Sequence, residues 1–107
     1  WKEYCESVGC SDLFLDRLDR HDRIIMLGAF AMAVREGRFS RTRERHEVLV
    51  EGTVRCAILH VVQAFQTAGR QNPTKDEDHK LSILLSRQFR AYKNEDPKQK
   101  QQAIFNN

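Results

Sequence analysis

The sequence predicts an all-α fold, a four-to-five-helix orthogonal bundle formed by a single domain over residues 1–107. Apolar residues recur three and four positions apart in several segments, which is the spacing of a helix face turned to a core. Isolated glycines and prolines separate these segments, and no segment has the alternation expected of a strand. With 107 residues, 40% hydrophobic and 31% charged, the chain has the size and composition of one helix-rich globular domain.

The first two helices are predicted from their apolar residues and their ends. Residues 1–7 have the pattern of the last turns of a helix that began upstream, and Gly9 is its stop. A second helix is predicted over residues 19–36, with Asp19 at its positive end and Gly37 after its last turn. Its core stripe is formed by Ile24, Leu27, Phe30, Ala31 and Val34.

The third predicted helix covers residues 53–68, starts at Thr53 and is closed by Gly69. Its core-facing residues are Val54, Ile58, Val61 and Phe65. A second set, which we call the polar stripe, repeats at the same helical spacing and consists of Thr53, Cys56, His60, Gln63 and Thr67. The polar stripe contains no Lys, Arg, Asp or Glu, whereas an ordinary solvent-facing stripe is rich in them.

The fourth predicted helix covers residues 79–93, with Asp76 or Asp78 as its N-cap. A basic loop over residues 38–50 precedes the third helix, and a short helical piece is predicted over residues 98–105. The apolar face predicted for the fourth helix is Leu81, Leu84, Leu85, Phe89 and Tyr92. Its basic face is Lys80, Arg87 and Arg90.

Charge and cysteine content restrict the function. Residues 1–34 carry four Lys/Arg and six Asp/Glu, net −2, whereas residues 35–107 carry fourteen and nine, net +5. A basic half is compatible with a polyanionic partner. Three cysteines, an odd number, favour reduced thiols and an intracellular protein, nuclear in a eukaryote or cytoplasmic in a prokaryote. No apolar run approaches the ~20 residues that span a bilayer, so no membrane partner is expected.

The sequence contains no motif for catalysis and no convincing metal or cofactor site. It has no Gly-rich phosphate loop, nucleophile elbow or paired-cysteine motif. Cys5, Cys10, Cys56 and His60 are a possible ligand set, but zinc sites use tighter paired spacings. Cys56 and His60 are also a possible thiolate–imidazole pair, for which no orienting group or oxyanion site is visible. We therefore expect no enzyme activity, no metal and no cofactor.

The polar stripe is compatible with duplex DNA as a partner. A helix in the major groove needs side chains that hydrogen-bond base edges, and nearby positive charge for the phosphates. The polar stripe has the first property, and Arg55 with Arg43 and Arg45 of the preceding loop has the second. The backbone N–H groups that begin the helix are a further expected phosphate contact. The alternative is that the polar stripe packs against another helix.

The order of these motifs resembles a known family. W-x-x-Y-C is followed by an apolar helix, then "TVRCAILHVVQAF" ending at a glycine, then "NPTKDEDHKLSILLSRQFRAYKNEDPKQKQQAIF". This order is similar to the core-binding, SAM-like domain that precedes the catalytic domain of tyrosine recombinases and phage-type integrases, including Cre-like enzymes. The resemblance covers residues 1–105, and the loop over residues 38–50 is longer than in the family.

The resemblance implies a DNA-binding domain used in DNA recombination or integration by a mobile element. It places Thr53, Arg55, Cys56, His60 and Gln63 towards the major groove. It places Arg87 and Arg90 on the helix that meets neighbouring protomers or phosphates. The catalytic Arg, Lys, His and Tyr of the family belong to a separate domain beyond residue 107. Two alternatives stay open: a helical protein-interaction module and a small metal-dependent enzyme.

Overall fold

The computed structural model describes residues 1–39 and 49–96, which form four helices: α1 (Lys2–Ser7), α2 (Arg20–Arg35), α3 (Glu51–Thr67) and α4 (Ile83–Glu95). Within these residues there is no strand, and one isolated antiparallel bridge joins Lys75 to Leu81. The predicted all-α bundle is therefore confirmed. The predicted helical piece over residues 98–105 and most of the basic loop lie outside the described residues.

One core lies between α2, α3 and α4, and α1 closes one side of it. All five residues predicted for the core stripe of α2 are buried, as are the four predicted for α3. The aromatic rings of Trp1 and Tyr4 pack on Phe30 of α2, with ring centroids 5.2 and 5.4 Å away. Leu15, in the connector between α1 and α2, is completely buried below the helices. Helical periodicity thus located the core correctly.

The ends of α2 agree with the sequence prediction to within one residue. Asp19 is the N-cap, and its side chain accepts a hydrogen bond from the backbone N–H of Asp22 at 2.8 Å. This bond satisfies one of the N–H groups that have no partner within the helix. Gly37, directly after the helix, has a φ of +77°, a conformation that costs glycine little and other residues more.

The start of α4 was predicted wrongly, because the expected cap residue is used in a turn. Asp76 Oδ1 accepts hydrogen bonds from the backbone N–H groups of Asp78 and Lys80, at 2.9 and 3.0 Å. His79, with a φ of +59°, continues this turn, and Ser82 is the N-cap of a helix that begins only at Ile83. Local side-chain bonds of Asp compete with helix formation in this way.

The apolar face predicted for the fourth helix is correct in its centre and wrong at its start. Leu85 and Phe89 are buried and Tyr92 is half-buried. Leu81 and Leu84, however, are 40% and 46% exposed. Leu81 precedes the helix, and Leu84 lies on the side of α4 turned away from the core.

Arg35, at the C-terminal end of α2, holds the ends of three segments together. Its side chain is only 7% exposed, and it donates to the carbonyl oxygen of Leu49 at 3.0 Å and to that of Tyr92 at 3.2 Å. It also forms a 2.9 Å ion pair with Asp96, and its guanidinium lies 4.4 Å from the centre of the Tyr92 ring. This buried cation fixes the approach to α3 and the end of α4 relative to α2.

Candidate nucleic-acid interface

The polar stripe lies on the side of α3 that points away from the core. Successive residues of an α-helix are about 100° apart around its axis, so residues 53, 56, 60, 63 and 67 group on one side. All five of these side chains are exposed, whereas Val54, Ile58, Val61 and Phe65 on the opposite side are buried. The expected arrangement, apolar residues inward and small hydrogen-bonding residues outward, is therefore present. Its role in binding stays a prediction.

The exposed side of α3 is nearly free of charge over its whole length. Apart from Arg55, its exposed residues are polar, small or apolar. Leu59, which the sequence analysis assigned to neither face, is 52% exposed and lies next to Cys56 and Gln63 on the helix surface. It adds one apolar side chain to an otherwise polar surface. The apolar spacing identified Ile58 as core-facing but did not indicate that Leu59 would be left exposed.

Arg55 lies at the edge of this surface, beside α4, and its charge already has a partner. Its guanidinium forms an ion pair with Glu51 one turn earlier and lies 5.7 Å from the centre of the Phe89 ring. Glu51 is buried, with 8% of the residue exposed. The structure therefore places Arg55 next to the polar stripe but holds its side chain towards α4.

Three of the N–H groups at the start of α3, where a phosphate contact was expected, already have partners within the protein. The helix begins at Glu51, two residues before Thr53, and the Glu51 N–H donates to Asp96 Oδ2 at 3.0 Å. The N–H groups of Thr53 and Val54 both donate to the carbonyl oxygen of Val50. The carboxylate of Asp96 thus occupies the position where a phosphate was expected. The positive end of the helix dipole stabilises its negative charge, as it would that of a phosphate.

Two of the remaining predicted cations, Arg87 and Arg90, lie on another helix than the polar stripe. Arg87 and Arg90 are exposed on α4, on the side opposite the buried Leu85, and neither has an ion pair with a described residue. Arg43 and Arg45 lie outside the described residues. The structure therefore brings together Thr53, Cys56, His60 and Gln63, places Arg55 at their edge, and puts the α4 arginines on another helix.

The three cysteines have different surroundings. Cys5 is completely buried, Cys10 is half-buried and Cys56 is exposed, and all three are free thiols. Burial, followed by the neighbouring Cys10, raises the pKa of Cys5 to about 11. The four-residue ligand set considered from the sequence does not assemble. Among residues 1–39 and 49–96, no cluster of His, Cys, Asp or Glu could hold a metal ion.

Comparisons with known proteins find no family model, no curated protein and no solved structure that matches the chain. Across residues 1–39 and 49–96, none of the helices combines the length and the apolar character needed to span a bilayer.

Proposed function

We propose that this chain is a DNA-binding domain of the tyrosine-recombinase core-binding type, which recognises duplex DNA by placing α3 in the major groove. The observation that supports this most is the polar stripe, an exposed and uncharged row of hydrogen-bonding side chains on the outer side of α3. The domain contributes target recognition, and strand cleavage belongs to the catalytic domain of the parent recombinase.

The dimensions and chemistry of α3 suit this role. The polar stripe spans fourteen residue steps, or about 21 Å at 1.5 Å per residue, which is the length of about six base pairs. A helix with its side chains fits the major groove, which is about 12 Å wide. Gln63 and His60 hydrogen-bond base edges, and the methyl groups of Thr53 and Thr67 make apolar contacts to thymine.

Phosphate binding requires cations that the polar stripe itself lacks. Arg55 is the cation of α3 that lies beside the polar stripe, and its charge is already paired with Glu51. This pairing makes its net contribution to affinity smaller than that of an unpaired arginine. Arg87 and Arg90 on α4 meet a phosphate or a neighbouring protomer. DNA affinity of the isolated domain is therefore weak and falls steeply with salt.

The proposal is tested by using Cys56 as a built-in reporter. We expect a duplex of about 30 base pairs, added at low salt, to slow alkylation of Cys56 without slowing that of the half-buried Cys10. Fluorescence anisotropy on the same samples should show affinity falling by at least tenfold between about 50 and 200 mM salt. Saturating duplex that leaves the alkylation rate of Cys56 unchanged contradicts this use of α3.

Matched variants separate base recognition from charge. His60→Ala should change the sequence preference of binding, whereas His21→Ala, an exposed histidine on α2, should not. Arg55→Gln should weaken binding to all sequences about equally and lower the salt slope by about one. If His60→Ala and His21→Ala behave alike across a randomised duplex library, the polar stripe does not read bases.

One observation favours a second candidate, a helical protein-interaction module. Leu59, 52% exposed, adds an apolar contact to a surface on which the single cation is already paired. Surfaces depleted of charge are typical of the centre of protein interfaces. In that case binding is insensitive to salt, and Leu59→Ala weakens it more than Arg55→Gln does. Sequencing the coding region beyond residue 107 also discriminates, since the Arg, His-x-x-Arg and Tyr of a recombinase catalytic domain should follow.

A further inference from the structure

A basic cavity lies at the end of the bundle away from the start of α3. It has a volume of about 400 Å³ and is enclosed by the connector before α2, the first turns of α2 and the loop after α3. This volume is within the range of small-molecule sites, about 300–1,000 Å³. None of the predicted DNA-contact residues that the structure describes lines it. The cavity is therefore a feature separate from the polar stripe.

The walls of the cavity carry more positive than negative charge. Four Lys/Arg residues and two Asp residues line it, which gives a formal charge of +2 with His79 neutral. Both acids are already used by the protein. Asp16 accepts two hydrogen bonds from Arg70, the shorter one 2.8 Å long, and this contact lowers the pKa of Asp16. Asp76 accepts from two backbone N–H groups in the turn before α4.

The other cations have donors left over. Arg23 uses only its Nε, which donates to the carbonyl oxygen of Leu15 at 2.9 Å, so its two terminal nitrogens have no partner among the described residues. The side chains of Arg20 and Lys75 likewise make no hydrogen bond or ion pair with any residue that the structure describes. Three cationic side chains thus line one cavity with hydrogen-bond donors that no described residue uses.

The same cavity has an apolar part. Phe14, Phe65 and Pro73 contribute to its lining. The two phenylalanine rings meet edge to face, with centroids 5.4 Å apart, and the guanidinium of Arg70 lies 4.7 Å from the centre of the Phe14 ring. The cavity therefore combines cationic donors with an aromatic surface.

The wall formed by the loop after α3 is held in place by its own hydrogen bonds. Asn72 Oδ1 accepts from both the backbone N–H and the hydroxyl of Thr74, at 2.9 and 2.6 Å. The N–H of Ser82 donates to the carbonyl oxygen of Thr74 at 2.9 Å, and the backbones of Lys75 and Leu81 form the antiparallel bridge. A ligand therefore enters a cavity that is already formed, which lowers the entropic cost of binding.

We propose that this cavity binds a phosphate monoester carried by an apolar or aromatic group. A dianionic phosphate offers several strong acceptor oxygens to the unspent donors of Arg20, Arg23 and Lys75, and arginine binds phosphate in a bidentate manner. The organic part of the ligand lies against Phe14, the half-buried ring of this pair. The site is independent of the proposed DNA surface, and it takes either a free small molecule or the 5′-phosphorylated end of a nucleic acid.

The test is calorimetric titration of the full chain with three probes: phenyl phosphate, inorganic phosphate and phenol. We expect saturable binding of phenyl phosphate, binding of inorganic phosphate about tenfold or more weaker, and no binding of phenol. Equal affinity for phenyl phosphate and inorganic phosphate overturns the role of the aromatic surface. Absence of saturable phenyl phosphate binding up to ~10 mM overturns the site. A 5′-phosphorylated dinucleotide and phenyl phosphate, compared directly, distinguish the two sources of the ligand.

A pair of double variants with the same charge change tests the residues. Arg20→Gln with Lys75→Gln should lower the affinity for phenyl phosphate at least tenfold. Arg17→Gln with Lys80→Gln removes two exposed cations that are close in sequence to Arg20 and Lys75 respectively but do not line the cavity. This double variant should leave the affinity unchanged. Equal losses in both double variants mean non-specific attraction and overturn the proposal. Thermal unfolding of each variant confirms that the compared proteins are folded.

Discussion

Replacing the buried Arg35 by methionine should lower the free energy of unfolding more than removing any other buried charge among the described residues. The side chain is 7% exposed and forms ion pairs with Asp96 at 2.9 Å and with Glu95 at 3.4 Å. It also donates to two backbone carbonyl oxygens. Methionine keeps most of the packing volume of the aliphatic part but leaves these acceptors without their donor.

The magnitude follows from what is left behind. The side chain of Asp96 is only 11% exposed, so Arg35→Met strands a nearly buried carboxylate whose one remaining partner among the described residues is the Glu51 N–H. Removing one partner of a buried ion pair typically costs about 3–5 kcal/mol. Native domains are stable by only about 5–15 kcal/mol, so this substitution removes a large fraction of the total.

Urea denaturation followed by circular dichroism measures the effect, with Arg17→Met as the control. Arg17 is exposed, and its replacement should change the free energy of unfolding by less than about 0.5 kcal/mol. Adding Asp96→Asn to Arg35→Met removes the stranded charge, so the double variant should recover part of the loss. A loss below about 1 kcal/mol for Arg35→Met refutes the assignment of Arg35 as the junction between α2, α3 and α4. If Arg35→Met does not fold, Arg35→Lys should show an intermediate loss, because lysine keeps the charge without the planar fork.

Three further outcomes are expected. At neutral pH, Cys56 should react with a thiol reagent far faster than Cys5, and equal rates measured by mass spectrometry would contradict the burial of Cys5. Because the pKa of Cys5 is raised from its ordinary 9.0 to about 11, its contribution to stability is complete below pH 9 and is lost as the pH rises towards 11. The alkaline fall in the free energy of unfolding should therefore be smaller in Cys5→Ala. Gly28→Ala places a methyl group 2.9 Å from Gln88 Oε1, and the 2.8 Å hydrogen bond from Gln88 to Gly28 is lost. In the wild-type chain this loss should offset the helix-propensity gain of about 1 kcal/mol. In a Gln88→Ala background the gain should appear. Equal effects in the two backgrounds, measured by chemical denaturation, would argue against that contact.

The features that could be predicted from sequence are those that depend on local periodicity and local backbone chemistry. The core faces of α2 and α3 follow from apolar spacing, and the glycine stops at Gly37 and Gly69 follow from the left-handed conformation, with φ of +77° and +81°. The exposure of the polar stripe follows from the same helical register. The partner of the polar stripe does not follow from the sequence, because neither periodicity nor exposure distinguishes a base edge from a protein surface.

The features that were missed depend on contacts between residues far apart in the chain. The carboxylate of Asp96 reaches the start of α3 across 45 positions, and the sequence gives no sign of that contact. Arg35 has the pattern of an ordinary helix-ending cation, although three of its partners are 57 to 61 positions away, at the end of α4. The late start of α4 was a competition between two uses of Asp76, and the turn prevailed.

The bond between Asp96 and the first N–H of α3 has a mechanical consequence. The chain continues past residue 96 from the same point that is fastened to the beginning of α3. A displacement of residue 96 therefore acts on the start of α3 as well as on the end of α4. The side chain of Asp96 is the link through which a segment attached at residue 96 can change the position of α3.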